Sequence, residues 1–303
     1  MPQQHGLLVI NKPRGLSSAQ CVARIKRLGQ KKAGHAGTLD PMATGVLVVL
    51  LGQATKISGH LMAGGEKTYL ATARLGRTTD TWDAEGRLLA ESPAGALEAI
   101  APQTVRDIVS SWLGASEQEV PPYSAAKHQG RPLYKLSLAG LPTPVKVKRI
   151  HISRAEVIRV DLPFVKFRIT CSSGTYIRSL AHSLGTRLGC GAVLTELVRE
   201  YSHPFGLDSA HDLEQILAAP HTLPERLLPL CAGLPGWRRL ALNPAEERAA
   251  RAGAAIACPP GSTLGEQAVL LAKDGAPLAL AEARLDVRSG REALGWTILR
   301  GLW

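Results

Sequence analysis

Cysteine is scarce in this sequence, and its spacing excludes two kinds of site. The chain has five cysteines, an odd number, and no two of them are separated by the two residues of a Cys-x-x-Cys pair. Neither a disulfide framework nor a zinc site is therefore indicated. We expect most of these cysteines to be small buried residues.

Long apolar runs and targeting segments are also missing. The run from Val46 to Leu51 is too short to span a bilayer, and neither a basic amphipathic helix nor a lipidation motif is visible. The N-terminal segment lacks the charged start and the long apolar core of a signal peptide. These absences predict a cytoplasmic protein with no membrane contact.

Acidic residues are too few to balance the basic ones. The 36 Lys and Arg residues exceed the 25 Asp and Glu residues, which gives a formal net charge of +11. An excess of this size favours a polyanionic partner, and nucleic acid is a better candidate than a membrane surface.

The length of 303 residues predicts two domains. Composition shifts to Ala, Pro and Leu around residues 218–235, so we predict a first domain over residues 1–232 and a second over residues 233–303. Residues 121–149 are basic with little apolar periodicity, which is typical of a long functional or disordered loop. The second domain needs a small core of its own or must pack on the first.

Hydrophobic spacing predicts the elements of both domains. Residues 46–51 suit a buried strand or the start of a helix. The other predicted strands cover residues 6–10 and 67–75 and, in two pieces, 150–170. The predicted helices run from Ser17 or Ser18 to Gly29, over residues 97–113, after Arg178, and from Pro244 to Arg251.

One acid, Asp40, lies between a glycine-rich turn and an apolar run. Residues 34–47 read Gly-His-Ala-Gly-Thr-Leu-Asp-Pro-Met-Ala-Thr-Gly-Val-Leu. Carbon from Leu39, Pro41 and Met42 surrounds the carboxylate, which is costly unless a cation pairs with it. Costly arrangements gather where chemistry occurs, whereas an ordinary Asp-Pro only caps a turn.

This segment resembles the catalytic signature of the TruB family of pseudouridine synthases, which modify the T-loop of transfer RNA. Further stretches are similar to the other motifs of that family, in the expected order over about the first 210 residues. They are residues 11–15 (Asn-Lys-Pro-Arg-Gly), 67–69 (Lys-Thr-Tyr), 74–86, 123–127 (Tyr-Ser-Ala-Ala-Lys), 173–178 (Ser-Gly-Thr-Tyr-Ile-Arg), and 189–192 with Leu197.

The resemblance implies an α+β catalytic domain, mixed α/β around a largely antiparallel central sheet, followed by a small β-rich PUA-like domain that binds RNA. It implies isomerisation of uridine to pseudouridine at position 55 of transfer RNA, after the base is flipped out. The implied partner is the T-arm of transfer RNA, bound by a monomer with no protein partner. Uracil is detached from its sugar and rejoined through carbon 5, so neither a cofactor nor a metal is expected. Consistently, the sequence contains neither a Gly-Lys-Ser/Thr phosphate loop nor a Gly-x-Gly-x-x-Gly turn after a strand.

The resemblance assigns catalysis to three residues. Asp40 is the nucleophile, or a base at the sugar. Arg178 keeps this carboxylate charged and oriented. Tyr69 stacks on the extruded base and relays the proton lost from it.

Five further residues are implied to bind the substrate. His35, between glycines on a protruding and exposed turn, fills the space that the base leaves. Leu197 is an apolar wall, and Tyr176 is either a wall or core packing. Lys12 supports the active-site turn or contacts a phosphate, and Lys127 contacts phosphate with the rest of the basic loop.

The chain departs from the family pattern at three positions. Val193 and Val198 stand where His and Arg are usual, and His203 stands where Gly is common. RNA contacts made through that His and Arg are therefore not implied for this chain.

Two other functions fit parts of the sequence. A chaperone that binds transfer RNA without catalysis would use the same basic surface, but it would gain nothing from Asp40 and Arg178. A hydrolase acting on a glycosidic bond usually needs two carboxylates, and the sequence shows no second acid in a comparable motif.

Overall fold

The fold is described by a computed structural model that covers residues 1–93, 95–139, 141–285 and 293–303, without the side chains of Lys127, His128 and Leu138. The helices are α1 (Ser18–Arg27), α2 (Ser58–Ala63), α3 (Pro102–Ser110), α4 (Leu133–Leu138), α5 (Ile177–Arg187), α6 (Leu213–Ala218) and α7 (Pro244–Arg251). The strands up to residue 172 are β1 (Gly6–Lys12), β2 (Ala33–Ala36), β3 (Thr44–Leu51), β4 (Glu66–Leu75), β5 (Arg77–Thr79), β6 (Leu88–Glu91), β7 (Gly114–Glu119), β8 (Lys127–His128), β9 (Arg131–Pro132), β10 (Val147–Asp161) and β11 (Phe164–Ser172). The later strands are β12 (Ala192–Ser202), β13 (Phe205–Gly206), β14 (His211–Asp212), β15 (Arg238–Ala241), β16 (Ile256–Ala257), β17 (Gln267–Leu271), β18 (Pro277–Leu285) and β19 (Leu294–Gly301).

A large sheet organises the first two thirds of the chain. Its strands follow the order β14-β1-β3-β12-β4-β11-β10-β7, with β2 paired to β3 and β13 paired to β12. The pairs β1–β14 and β12–β3 are parallel, and the other pairs within this sheet are antiparallel. The prediction of a mixed fold around a largely antiparallel sheet is therefore confirmed.

A second sheet, with the order β15-β17-β18-β19-β16, forms a β-rich unit near the C-terminus. The predicted helix of this region is present as α7, where Asn243 caps the first turn and Glu246 completes the capping box. The strands of the two sheets lie on either side of residue 233, but the exact domain boundary stays a prediction.

Alternation along β1 and β3 supplies two cores at once, because successive side chains of a strand point to opposite faces. One face packs with helices α1, α3, α5 and α6 and contributes Leu8, Ile10, Leu47, Val49 and Leu51. The other face joins side chains of the C-terminal unit and contributes Leu7, Val9, Val46, Val48 and Leu50. The C-terminal unit supplies Val269, Leu280 and Leu302 to this shared core, and it also has a core of its own around Trp296.

Several sequence-based boundaries agree with the structure. Ser17 caps α1 and Gln20 completes its capping box, while Gly29 follows the last turn with φ +91°. Of the alternatives for residues 46–51, the strand is correct. The predicted helix over residues 97–113 is shorter, because Pro102 fixes its first turn and the helix ends at Ser110.

The long loop predicted over residues 121–149 has more structure than expected. It contains the β8–β9 hairpin and α4, and β10 begins within it at Val147. These short elements lack the apolar periodicity of longer ones, so the pattern did not indicate them. Within the described ranges, no helix is long and apolar enough to cross a membrane.

Candidate active site

Asp40 lies in the loop between β2 and β3, at an opening in an apolar wall. Leu39, Met42 and Ala43 are buried beside it, whereas the Asp40 side chain keeps 32% of its surface exposed. Ser18, in the first turn of α1, clamps the loop: its hydroxyl accepts from the Leu39 N–H at 2.8 Å and donates to the Leu39 carbonyl at 3.0 Å. The backbone beside Asp40 is thus held in place, while the carboxylate remains accessible to a ligand.

Arg178 pairs with Asp40, as the sequence predicts. Arg178 Nε lies 3.0 Å from Asp40 Oδ2, and Nη2 donates to Oδ1 at 3.2 Å. This two-pronged geometry is the strongest form of a carboxylate–guanidinium pair. Further N–H groups donate to the carbonyls of Thr81, at 2.9 Å, and Tyr123, at 3.0 Å. Two of the matched motifs thus position the arginine.

A second carboxylate, Asp83, lies close to Arg178, although the sequence shows no second acid in a motif comparable to that of Asp40. Its Oδ2 lies 3.6 Å from Arg178 Nη1, and its side chain is only 9% exposed. Oδ1 accepts from the Thr81 hydroxyl at 2.6 Å and from the Glu85 N–H at 3.1 Å. Asp83 therefore orients Arg178 from behind. The Thr-x-Asp spacing is a signal for this local turn.

Tyr69 and Leu197 face the same apolar cluster as Leu39 and Met42. Tyr69 is 7% exposed and Leu197 is 6% exposed. Burial raises the pKa of the Tyr69 hydroxyl, and the nearby Arg199 guanidinium partly offsets this. The phenol is therefore protonated near neutral pH, so it can receive a proton only while donating its own.

Arg199 is a buried residue of the site that sequence reasoning missed. It is 1% exposed, and its guanidinium donates to the carbonyls of Val46 at 2.7 Å, Gly37 at 3.0 Å and Thr38 at 3.4 Å. It thereby ties the turn before Asp40 to β3. The available signal was its position: Arg199 is the arginine retained from the Arg-Arg pair of the family pattern.

Of the two roles expected for Lys12, the structure favours support of the active-site turn. It is fully buried, and its ammonium donates to the carbonyls of Pro13 at 2.8 Å, Leu16 at 2.5 Å and Pro41 at 3.2 Å. These three bonds use all its donors. The ammonium therefore has neither an exposed surface nor a free N–H, which favours the supporting role over the phosphate contact.

The flanking glycines predicted that His35 lies on an exposed turn, but the structure places it elsewhere. It belongs to β2, opposite Val49 of β3, and is half-buried. Burial, and next the Arg199 charge, lower the pKa of its imidazole. The short strand pairs despite the glycines because β3 offers its backbone groups along residues 48–51.

Tyr176 and Lys127 complete the predicted residues. Tyr176 precedes α5 and exchanges backbone hydrogen bonds with the Gln118 amide, at 2.7 and 3.0 Å. It is half-buried beside Arg178, and burial raises the pKa of its hydroxyl. Lys127 begins β8, and its side chain lies outside the described part of the structure.

The three departures from the family pattern fit the fold. Val193 is buried in β12, and Val198 is half-buried there. His203 lies in the turn between β12 and β13, where its Nδ1 is 3.1 Å from the Tyr201 hydroxyl. Within the described ranges, no group of three His, Cys, Asp or Glu side chains is arranged to hold a metal ion.

The chain is similar to known proteins in both sequence and fold. Residues 25–177 match the family model described as TruB family pseudouridylate synthase (N terminal domain). The chain is 61% identical to the tRNA pseudouridine synthase B of Nitratidesulfovibrio vulgaris (strain DSM 19637 / Miyazaki F), over 99% of this chain and 97% of that protein. It is 59% identical to the enzyme of the same name from Oleidesulfovibrio alaskensis, over 100% of this chain and 98% of that protein.

Among solved structures, the fold is similar to a chain of a Cbf5-Nop10-Gar1 complex. The TM-score is 0.72 at 23% identity, over 99% of this chain and 85% of that one. A chain of an H/ACA RNP bound to a substrate RNA containing 2'-deoxyuridine gives a TM-score of 0.71 at 22% identity, with the same coverage. At these identities the likeness concerns the fold, while the family model and the full-length relatives establish the family. The chain belongs to the TruB family of pseudouridylate synthases, isomerases that form pseudouridine.

Proposed function

We propose that this enzyme converts uridine 55 in the T-loop of transfer RNA to pseudouridine, with Asp40 as the essential group. The observation that carries the proposal is the two-pronged pairing of Asp40 with Arg178 in an apolar opening. Relatives that match nearly the whole chain are named tRNA pseudouridine synthase B. The motif resemblance supports the T-loop as the target.

The geometry suits an ionised acid acting on a nucleotide. Arg178 stabilises the negative charge of Asp40, while the exposed third of this carboxylate remains free to approach the sugar or the base. Tyr69 and Leu197 line the same cluster, so an extruded uracil would lie between an aromatic ring and an aliphatic wall. The hydroxyl of Tyr69 is then in position to relay the proton released from carbon 5.

The target base must leave its stack, at a cost of a few kcal/mol. We propose that His35 fills the vacated space, because it lies on the short strand that leads into the Asp40 loop. We further propose that the basic segment over residues 121–149 and the PUA-like C-terminal domain hold the T-arm through phosphate contacts. The protein acts in the cytoplasm as a monomer in this proposal, without a cofactor.

The two alternatives are weaker. A chaperone without catalysis would place an acid against RNA phosphates for no gain, whereas Arg178 orients Asp40 toward the opening. A hydrolase needs a second carboxylate beside the scissile bond. Asp83 is the nearest candidate, but it is buried and already accepts hydrogen bonds from Thr81 and Glu85.

The test is incubation of the protein with an unmodified transfer RNA transcript, followed by mapping of pseudouridine at each nucleotide. We expect conversion at position 55 and no release of free uracil. A transcript with cytidine at position 55 is the matched control and should remain unmodified. Conversion elsewhere, binding without conversion, or released uracil would each contradict the proposal.

A further inference from the structure

Lys67 is a nearly buried cation beside the active site. It lies on β4 two residues before Tyr69, and therefore on the same face of that strand. It is 6% exposed, and its ammonium donates to the Ser173 hydroxyl at 2.5 Å. Among the ion pairs of the described residues, none includes Lys67.

The charges around Lys67 are themselves positive. Burial, followed by the Arg199 and Lys148 charges, lowers the pKa of this lysine to about 8. A buried ammonium without a counter-charge is unfavourable. An anion that arrives with a ligand would remove this penalty.

Two glycines shape the space around these cations. A Cβ on Gly37, in the turn before Asp40, would lie 3.6 Å from Lys67 Cε and 3.5 Å from Arg199 Nη1. On the other side, the Lys148 ammonium occupies the position that a Cβ on Gly174 would take. Lys148 is exposed on β10, and its ammonium lies beside Gly174, in the turn that carries Ser173. Lys148 is therefore the cation at the surface, and Lys67 is the cation beneath it.

We propose that Lys67, Ser173 and Lys148 form a binding site for one phosphodiester of the RNA, next to the nucleotide that enters the Asp40 opening. This inference rests on the proposed function. Two ammonium groups and a hydroxyl are donors suited to a phosphate oxygen, and the nearby Arg199 guanidinium, three of whose N–H groups bind carbonyls, adds its positive field. A flipped nucleotide rotates about its backbone, so its flanking phosphates stay near the rim of the pocket.

The experiment uses hairpin RNAs of the T-arm that carry a single neutral methylphosphonate at one of the linkages flanking the target uridine. Affinity and the single-turnover rate at saturating enzyme are measured for the wild type, Lys67→Met and Lys148→Met. Lys166→Met is the matched control, because Lys166 lies toward the other end of β11 from Ser173. Thermal unfolding checks that each variant is folded.

We expect Lys67→Met to weaken binding of the native hairpin about tenfold, as for one charged hydrogen bond, with the saturated rate unchanged. One methylphosphonate should weaken wild-type binding similarly but should not weaken Lys67→Met further. Lys148→Met, which changes an exposed side chain, should show the same coupling at the same linkage, and Lys166→Met should show none.

Independent effects of the protein and RNA changes at every linkage would overturn the inference, and so would unchanged affinity with a lost saturated rate in Lys67→Met. If Lys67→Met does not fold, Lys148→Met decides the matter by the same criterion. Failure of the wild type to convert the native hairpin would instead contradict the proposed function.

Discussion

Arg178 contacts both oxygens of Asp40 in its apolar opening. The arginine is in turn held by two backbone carbonyls and faced by Asp83. Together with Asp40, these groups make four contacts that hold the Arg178 side chain in one of its many possible rotamers. A carboxylate held this way loses little entropy when it meets the substrate.

Asp40→Asn should lower the single-turnover rate at least a thousandfold, roughly the cost of removing a nucleophile. Affinity for transfer RNA should change less than threefold, because the amide keeps the shape of the side chain. The matched control is Asp107→Asn, since Asp107 is exposed on α3 away from the site. A variant that retains a tenth of the wild-type rate would exclude Asp40 as the essential group.

Lys67→Met should stabilise the protein, and most strongly at low pH. The folded-state pKa of Lys67, about 8, lies below its ordinary value of 10.5, so the unfolded chain binds more protons between these values. Wild-type stability therefore rises with pH across that window. The advantage of the variant should be on the order of 3 kcal/mol below pH 8 and should vanish toward pH 10.5.

This comparison is read from urea unfolding of both proteins between pH 6 and pH 10. The difference between the two curves isolates Lys67 from the other titrating groups. A difference independent of pH would mean that Lys67 has an ordinary pKa in the folded protein.

At the scale of elements, the Asp40 loop is held by three side chains from distant parts of the chain. Ser18 of α1, Lys12 of β1 and Arg199 of β12 bind its backbone carbonyls or N–H groups. The sequence predicted the loop, its acid and the arginine partner, because all three lie in motifs that resemble those of the family. It did not predict Arg199 or Asp83 as parts of the site, because their contacts with the Asp40 loop and with Arg178 join parts of the chain about 95 to 160 residues apart.

Arg199→Met should lower the free energy of unfolding by about 3 kcal/mol, since it leaves buried carbonyls without donors. Activity should fall as well, because Gly37 and Thr38 lose their attachment to β3. Thermal and urea unfolding measure the effect. The matched control Arg159→Met removes an exposed arginine that pairs with Asp161, and it should cost less than 1 kcal/mol. Equal effects of the two changes would contradict the supporting role of Arg199.

At the scale of the molecule, the sequence left open whether the C-terminal segment has its own core or packs on the first domain. Both are true: Trp296 centres a separate core, while Val269, Leu280 and Leu302 complete the shared one. Lys56, after β3, also donates to the carbonyls of Gly301 at 2.9 Å and Trp303 at 2.8 Å. Composition marks a junction between segments, but it does not report which faces meet.

Removal of the chain after Pro235 should therefore destabilise the remainder. It would take Val269, Leu280 and Leu302 out of the core that they share with one face of β1 and β3, and each such side chain contributes about 1.5–3 kcal/mol when buried. We expect loss of the cooperative thermal transition and binding of a hydrophobic dye. A truncated protein that unfolds cooperatively at the wild-type temperature would show that the shared core is dispensable.

Binding of transfer RNA should weaken steeply with salt, because a net charge of +11 favours displacement of counterions from phosphates. Four phosphate contacts would reduce affinity about a hundredfold between 50 and 200 mM salt. Filter binding across this range measures the slope, and Arg159→Met, with one exposed charge fewer, is the control for nonspecific charge. A flat dependence would mean that the basic surface does not bind RNA.

The shared core also has a consequence for synthesis on the ribosome. The strands β1 and β3 emerge early, yet Val269, Leu280 and Leu302, which complete the core on one of their faces, come some 220 or more positions later. At about 5–20 residues per second, that core stays incomplete for on the order of ten seconds or longer. We therefore expect the nascent chain to need shielding of its apolar strands during translation, because this core is complete only after the last strand is released.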